Sequence, residues 1–445
     1  MKRSAMISVM DWIEVEDFGP VRHAKIELKS LTVLTGQHNT GKTYLATLFY
    51  LLMKFLRDVR DAVNPALSEL MGELARKAKL EAGYYDKESA REILKQHIPE
   101  IKERLKEEDL SQRLTGLITE NFPVLSPKEL IRYRQSRSVV EVRYRIEEEK
   151  ELPLRFVIEA DGGLKIEEFD KVALIETAIE TVEFVNIMGG RERGGMLISG
   201  KTPPIHTLYI PAERIAALSN LHSLIQLITQ SHGAKMLGIT PQLPPELKYT
   251  MKPLLLESVS NLMNAFRSVE MRKIGEIREG ILDGTLLLDP KTLTVLYEDR
   301  RGAKVHLSQA SSGVVQLSAL LLSLMSIPPD KGEGLVVIEE PEMNVHPNHQ
   351  LLVAEFIANK CKSIPILLTT HSDYIVTKLA HLFAKGEVPG LKVYFLDDET
   401  QEAEEVKIYE TGEVETLKTV EEVLDSLSGE ALALMREYAE QRCRD

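Results

Sequence analysis

Apolar and polar residues alternate over residues 7–34, and Gly19 and Pro20 interrupt this alternation once. A period of two predicts two strands joined by a turn, and the β-branched and apolar residues 31–35 predict a third strand. Residues 44–53 are rich in helix formers and contain neither glycine nor proline, which predicts a core helix. The N-terminal pattern is therefore strand, turn, strand, strand and helix.

The middle of the chain changes its period twice. Residues 53–123 are charged and helical in pattern, and Pro99 interrupts their short heptad-like run. This favours a compact helical insertion over a coiled-coil arm. Alternation returns over residues 139–146 and 152–158, which predicts strands, and the glycine-rich residues 189–195 predict a linker.

The second half of the chain mixes short strands with helices. Residues 206–210 predict a strand, the stretch to residue 268 is mostly helical in pattern, and residues 284–307 contain further strand signals. Two uninterrupted apolar runs, residues 335–338 and 364–368, are typical of parallel strands that are covered on both faces. The pattern predicts an α/β fold.

Composition limits the classes of protein. A chain of 445 residues with 43% hydrophobic residues suits two or three units, or one large α/β domain with an insertion. The net charge of -13 argues against a whole surface that binds nucleic acid. Cys361 and Cys443 share no metal-ligand spacing and no secretory signal is visible. We therefore expect a cytoplasmic protein without a membrane span.

The segment between the third strand and the first helix fits the pattern G-x-x-x-x-G-K-[ST]. Its glycines let the backbone wrap a phosphate group, and the following helix directs its positive end at the anion. We expect a nucleoside triphosphate with Mg2+, with Lys42 on the β- and γ-phosphates and the Thr43 hydroxyl on the metal ion. The alternative is a chance glycine turn. The predicted binding residues are Gly36, Gln37, His38, Asn39, Thr40, Gly41, Lys42 and Thr43.

A buried strand that ends in acids is the partner that such a loop needs for hydrolysis. Residues 335–338 are apolar and are followed by Glu339 and Glu340. We expect Glu339 to hold the metal ion and Glu340 to act on the attacking water. The alternative is a polar strand boundary without chemistry.

A Ser-Gly step lies at the start of a long apolar helix. Ser312 and Gly313 would offer a hydroxyl, backbone N–H groups and a positive helix end to a second phosphate. One triphosphate does not require two helix N-termini from the same subunit. A head-to-tail pair of subunits, each completing the other's site, would explain the second one. An ordinary helix N-cap is the alternative.

A histidine ends the second apolar run. His371 follows residues 364–370 and would sense a γ-phosphate at that location. The alternative is a structural histidine after a strand.

The order of these motifs resembles the ABC-type ATPase heads of the overcoming-lysogenization-defect and structural-maintenance-of-chromosomes groups. The resemblance covers residues 1–50 and 204–395, including the Phe18-Gly19-Pro20 turn. It implies ATP and Mg2+ as cofactors, an ATP-dependent dimer, and a mixed, largely parallel core sheet with an antiparallel β subdomain. The roles it implies are Walker A for residues 36–43, signature for Ser312 and Gly313, Walker B for Glu339 and Glu340, D-loop for residues 342–347, and switch histidine for His371, with Lys42, Glu340 and His371 as the catalytic residues.

The chain departs from that family pattern at several places. His38 stands where the family usually has Asn, and Val314 replaces the second glycine of the transporter signature. Long coiled-coil arms and the nuclease domain of the lysogenization group are missing, and Asp397-Asp398-Glu399 is interpreted as a solvated turn. We expect four segments: residues 1–50 and 204–395 as the ATPase head, 51–203 as a helical and then β insertion, and 396–445 as a C-terminal α/β tail packed on the head.

One basic stretch interleaved with Tyr133 and Tyr144 would suit nucleic-acid phosphates. A solvated strand face, offset by the acids at 147–149, is the alternative. The arginines concerned are Arg132, Arg134, Arg137, Arg143 and Arg145.

The resulting hypothesis is an ATP-hydrolysing ABC-type ATPase that changes conformation in a DNA-linked or defence-related complex. The main alternative is a nucleotide-dependent sensor or scaffold that regulates a separate effector protein. A nucleotide-binding module without turnover is a further alternative. A membrane transporter component is disfavoured by the helical insertion and the altered signature.

Overall fold

The computed structural model describes residues 10–80, 87–122, 124–145, 150–181, 205–214, 254, 257, 281–289, 294–327, 333–415 and 426–432. The predicted linker at 189–195, most of the predicted helical stretch up to 268, the acids at 147–149 and Cys443 lie outside these residues. The described elements, in chain order, are β1 (Met10–Phe18), β2 (Val21–Glu27), β3 (Leu31–Gly36), α1 (Lys42–Leu80), α2 (Lys87–Gln96), α3 (Ile98–Arg104), α4 (Glu107–Asn121), β4 (Arg137–Arg145), β5 (Glu151–Glu159), β6 (Leu164–Phe169), α5 (Lys171–Thr181), β7 (Ile205–Ile210), β8 (Gly284–Asp289), β9 (Thr294–Asp299), β10 (Lys304–His306), α6 (Ser312–Met325), β11 (Glu333–Glu339), α7 (Pro347–Lys360), β12 (Ile366–Thr369), α8 (Asp373–Ala384), β13 (Leu391–Leu396) and β14 (Ala403–Glu405).

A six-stranded sheet in the order β14-β13-β3-β12-β11-β7 places the site. The five strands from β13 to β7 pair in parallel, and β14 pairs antiparallel at one edge. β3 is buried throughout, and β11 is buried from its second residue onward, because helices cover both faces of such a sheet. Parallel strands end at the same edge, so the loop after β3 and the acids after β11 meet there.

A second, antiparallel sheet has the order β2-β1-β4-β5-β6. β4 pairs directly with β1, for example at Val140 with Val15, so the strands after the helical segment continue the N-terminal sheet. A third sheet has three strands in the order β10-β9-β8. The predicted fold class, a largely parallel core sheet with an antiparallel β subdomain, is confirmed.

Helix α1 joins the two large sheets. It begins at Lys42, directly after the glycine loop, and runs for 39 residues with Pro65 inside it. Proline removes one backbone hydrogen bond, but Val63, Ala66 and Leu67 beside it are buried in the core and hold the helix in place. One core cluster contains residues of α1, the antiparallel sheet and helices α2 to α5.

Three shorter helices follow α1, and α1 itself continues past residue 51, where the insertion is expected to begin. α2 and α3 are separate short helices with Pro99 in the first turn of α3. Among the described residues no helix combines the length and the apolar character that crossing a bilayer requires.

Candidate functional site

The glycine loop after β3 has the backbone of a phosphate cradle. Gly36, Asn39 and Gly41 all have positive φ, at 137°, 63° and 99°. This region is open to glycine and, at small cost, to asparagine. A Cβ on Gly36 would lie 2.3 Å from the carbonyl oxygen of Leu396, so the loop also needs glycine to approach β13. The sequence places its glycines where the fold requires them.

Lys42 lies at the first position of α1 and its side chain turns back into the loop. The residue is 6% exposed, and its Nζ donates to the carbonyl of Gly36 at 3.0 Å, to the carbonyl of Gln37 and to the Thr40 hydroxyl at 3.3 Å. Burial lowers the pKa of Lys42 to about 8, although the charges of Glu340 and Glu342 act in the opposite direction. The ammonium group is held in the centre of the loop.

The start of α1 is suited to an anion. No acid lies in its first turn, so the unpaired N–H groups and the positive end of the helix dipole are not neutralised. Thr43 is exposed at the second position of the helix, and no hydrogen bond of its hydroxyl is recorded within the described part of the chain. A hydroxyl at this place is available to an incoming ligand.

Glu339 and Glu340 are neighbours with different surroundings. Glu339, the last residue of β11, is 3% exposed, and its Oε2 accepts a hydrogen bond from the Ala212 N–H at 3.4 Å. Glu340 leaves the strand with a φ of 40°, and its N–H donates to the Thr369 carbonyl at 2.9 Å. Its side chain is 31% exposed. The strained turn thus separates a buried carboxylate from one that faces the site.

His371 connects the end of β12 with the glycine loop. Its Nε2 lies 3.9 Å from Glu340 Oε1, its ring interacts with the backbone of Gly36, and the His38 ring lies against it. Burial, followed by the charges of Lys42 and His38, lowers the pKa of His371 to about 4. The imidazole is therefore neutral near pH 7, with one N–H donor and one acceptor nitrogen.

Glu342 is a site residue whose contact the sequence did not reveal. Its Oε1 accepts a hydrogen bond from the backbone N–H of His371 at 2.6 Å. Burial raises the pKa of the Glu342 carboxyl. The motif Glu-Glu-Pro-Glu was visible in the sequence, but its last acid was assigned only to a D-loop region by resemblance.

Arg214 is the second residue that sequence reasoning missed. It is 1% exposed and its guanidinium donates to five backbone carbonyls. Burial lowers the pKa of Arg214 to about 10. Its position four residues after β7, in the run Pro211 to Arg214, was the available signal. The acceptors are the carbonyls of Pro211 at 3.3 Å, Gln316 at 3.4 Å, Glu339 at 2.9 Å, Glu340 at 3.0 Å and Pro341 at 3.2 Å.

Ser312 and Gly313 are not joined to the glycine loop by any contact recorded among the described residues. They are the first two residues of α6, and the N-cap is Ser311, whose hydroxyl accepts from the Val314 N–H at 3.4 Å. The N-cap role therefore falls one residue earlier than the Ser-Gly step. A Cβ on Gly313 would lie 2.8 Å from the Asn344 carbonyl oxygen, so this helix start packs against the turn after β11.

Acids compensate part of the predicted basic patch. Arg132 contacts Gln401 and Asp17, Arg143 contacts Glu141 and Glu168, and Arg145 contacts Asp11. Tyr144 does not interleave with them, because it is fully buried and its hydroxyl donates to the Leu52 carbonyl at 3.0 Å. Neighbouring acids thus compensate three of the five arginines. Arg134, Arg137 and Tyr133 are exposed.

The interpretation of residues 397–399 as a solvated turn is wrong for its first residue. Asp397 is 2% exposed, and its Oδ1 accepts hydrogen bonds from the N–H groups of Glu399 at 2.9 Å and Thr400 at 2.8 Å. The aspartate closes the turn after β13 by capping it. Asp398 and Glu399 are exposed, as expected.

The site residues thus fall into two groups. The glycine loop, Lys42, Glu340 and His371 meet at one edge of the parallel sheet. Ser312 and Gly313 lie at a helix start that touches the turn after β11.

Comparison with known proteins finds one family whose model matches part of the chain. Residues 204–377 match the family described as "AAA domain, putative AbiEii toxin, Type IV TA system", which is less than half of the chain. No curated protein matches the chain closely enough to count as a relative.

Several solved structures are similar to the chain at low identity. The Smc head domain with an extended coiled coil, bound to the C-terminal domain of ScpA and derived from Pyrococcus furiosus, is 12% identical at a TM-score of 0.41, covering 95% of this chain and 100% of that chain. The SMC head domain from Thermotoga maritima is 10% identical at 0.36, covering 86% and 94%. The recombination mediator RecF with ATP is 11% identical at 0.39, covering 92% and 100%. With TM-scores this low, the description of the site rests on its own geometry.

Proposed function

We propose that this protein is an ABC-type ATPase that binds ATP with Mg2+ and hydrolyses it between two head domains. One observation carries the proposal: the glycine loop with Lys42, the carboxylate of Glu340 and the ring of His371 converge at one edge of the parallel sheet. This arrangement supports the roles of anion cradle for the loop, general base for Glu340 and neutral hydrogen-bond donor for His371. Such a set is what phosphoryl transfer to water requires.

In this proposal each side chain has one task. Lys42 moves its ammonium group from the loop carbonyls to the β- and γ-phosphates. Glu340 aligns the attacking water and accepts a proton from it. His371, being neutral, has a single N–H, which would leave the Gly36 backbone and be donated to the γ-phosphate when the nucleotide binds.

The residues fit a magnesium ion. Thr43 offers an exposed hydroxyl and Glu339 a carboxylate, which are oxygen ligands of the kind Mg2+ takes alongside the oxygens of a bound phosphate. When bound, the ion supplies positive charge that neutralises the phosphate oxygens. The buried setting of Glu339 keeps its carboxylate in a fixed direction for that purpose.

We propose that Ser312 and Gly313 act on the nucleotide of a second subunit. Three features support this: both residues lie at the start of a 14-residue helix, Ser312 is exposed, and no recorded contact among the described residues links them to the glycine loop of their own subunit. A second copy, turned head to tail, would bring this helix start to the phosphates. Val314 after Gly313 makes the contact less glycine-rich than in transporters.

We also propose that residues 1–50 and 204–395 form the head, with 51–203 as an insertion and 396–445 as a tail. The pairing of β4 with β1 and of β14 with β13 supports attachment of both added segments to the head.

We propose a DNA-linked or defence-related complex as the setting. The family matched by residues 204–377 is described as a putative toxin of a toxin–antitoxin system. This description supports a defence-related complex. The ion pairs of Arg132, Arg143 and Arg145 weaken the case for direct DNA binding through that surface. A nucleotide-dependent sensor that regulates a separate effector protein is the second candidate, and the pairing of Arg132, Arg143 and Arg145 with acids favours it over direct DNA binding.

Phosphate release and self-association test the proposal together. Glu340→Gln should lower the ATP turnover rate by about 100-fold or more, because it removes the base. The same variant should elute as a larger species with ATP than without it in size-exclusion chromatography. Glu399→Gln, on the exposed turn after β13, is the matched control and should behave as wild type. Normal hydrolysis by Glu340→Gln, or no ATP-dependent association, would refute the mechanism.

A further inference from the structure

Two histidine rings from distant parts of the chain lie against each other at the site. The ring centroids of His38, in the glycine loop, and His371, after β12, are 4.3 Å apart with an interplanar angle of 35°. At this distance the two tilted rings are in van der Waals contact, and pairs of aromatic rings attract one another beyond simple burial. His38 is exposed, whereas the His371 side chain is only 24% exposed.

The other contacts of His371 fix its backbone more firmly than the orientation of its ring. Its backbone is fixed by the N–H donated to Glu342 Oε1 at 2.6 Å. The ring interacts with the backbone of Gly36 and with a more distant charge, Glu340 Oε1 at 3.9 Å from Nε2. The ring turns about its Cα–Cβ and Cβ–Cγ bonds, and a flat neighbour in contact with it restricts that rotation.

The Gly36 carbonyl is shared between the Lys42 ammonium group and the His371 ring. It accepts a hydrogen bond from Lys42 Nζ at 3.0 Å as well as interacting with the His371 ring. A phosphate that attracts Lys42 away from this carbonyl changes the surroundings of the His371 ring at the same time. The His38 ring is the contact of His371 that does not depend on this carbonyl.

We propose that His38 is a positioning residue that holds the His371 ring in register with the glycine loop by stacking on it. This inference rests on the proposed function only for its effect on turnover; the ring contact itself does not depend on it. It also gives the His38 side chain a task in addition to the backbone of the phosphate cradle.

The test uses the full chain and three replacements of His38. His38→Ala and His38→Asn remove the ring, and His38→Phe keeps a flat ring of similar shape. Loss of one stacked ring pair should lower kcat by about 2- to 10-fold in the first two variants, whereas KM for ATP should change less. His38→Phe should recover most of the kcat that His38→Ala loses, because a flat ring again lies against His371. His23→Ala, which removes a histidine paired with Glu14 on the antiparallel sheet, is the matched control.

Two further readouts distinguish positioning from a general structural role. In a His371→Ala background, His38→Ala should have no additional effect on kcat, because the two changes remove the same interaction. NMR of the wild-type protein should show a nuclear Overhauser effect between the two imidazole rings. An absent ring-to-ring effect, an unchanged kcat in His38→Ala, or a full effect of His38→Ala in the His371→Ala background would each overturn the inference. A wild-type protein that shows the ring contact but no ATP hydrolysis would refute the proposed function, and the NMR spectrum would still support the positioning contact.

Discussion

Glu342 is a carboxylic acid at a place where its charge is costly. Burial raises the pKa of its carboxyl in the folded protein, while the unfolded chain keeps the ordinary value. The folded state therefore binds this proton more tightly, and its stability contribution is complete below the ordinary pKa of a carboxyl and declines as the pH rises through the folded value.

We expect Glu342→Gln to show this dependence in thermal unfolding. Glutamine keeps an acceptor for the His371 N–H but carries no charge, so the variant should gain stability relative to wild type between pH 4 and pH 8 and show little difference below pH 4. Glu342→Ala, which removes the acceptor, should be destabilised at both ends of the range. A difference between Glu342→Gln and wild type that does not grow with pH would contradict the assignment. The exposed Glu103→Gln serves as the control.

Individual residues also show which parts of the site could be predicted from the sequence. The glycines, Lys42 and Thr43 were predictable because the motif is local and its spacing carries its own chemistry. The contacts of Arg214, Glu342 and His38 were not, since each partner lies far away in the chain: Arg214 Nη1 bonds to Glu339, and His38 stacks on His371. A single sequence without a fold contains no signal for such pairs.

At the scale of elements, Arg214 connects three segments that must keep their relative positions. It joins the end of β7 to the turn after β11 and to the first half of α6. These are the segments that carry Glu339, Glu340 and the Ser-Gly step.

We expect Arg214→Met to destabilise the protein by about 3–5 kcal/mol, because several buried carbonyls lose their donor. Arg214→Lys should recover part of this loss, since one ammonium group cannot replace the planar fork of the guanidinium. Arg22→Met is the matched control: Arg22 is exposed and pairs with Glu402, and its loss should cost less than about 1 kcal/mol. Urea unfolding measures all three. An equal loss of unfolding free energy in Arg214→Met and Arg22→Met would show that Arg214 does not hold these three segments together.

The elements missed by the sequence were missed for a physical reason. α5 has buried residues on nearly all sides, among them Ala173, Leu174 and Ile175, so it shows no helical stripe of polar and apolar positions. β6 is short and half exposed. By contrast, β3 and β11 were predictable because both are apolar runs next to recognisable motifs.

At the scale of the whole molecule, the two large sheets explain why the strands after the helical segment belong with the N-terminus. The sequence suggests an insertion, because charge and period change at residue 53 and again near residue 138. The pairing of β4 with β1 shows that its strands share a sheet with the start of the chain. Such pairing between distant strands depends on a register that pattern alone does not specify.

The central claim is that the ATPase site is composite, with the loop of one subunit and the Ser-Gly step of another. Mixing two inactive variants tests it most directly. Lys42→Ala removes the phosphate contact, and Ser312→Arg blocks the start of α6. In a mixed dimer one site contains both defects and the other contains neither, so an equimolar mixture should regain about a quarter of wild-type phosphate release, while each variant alone stays inactive. A mixture as inactive as its components would contradict the composite site.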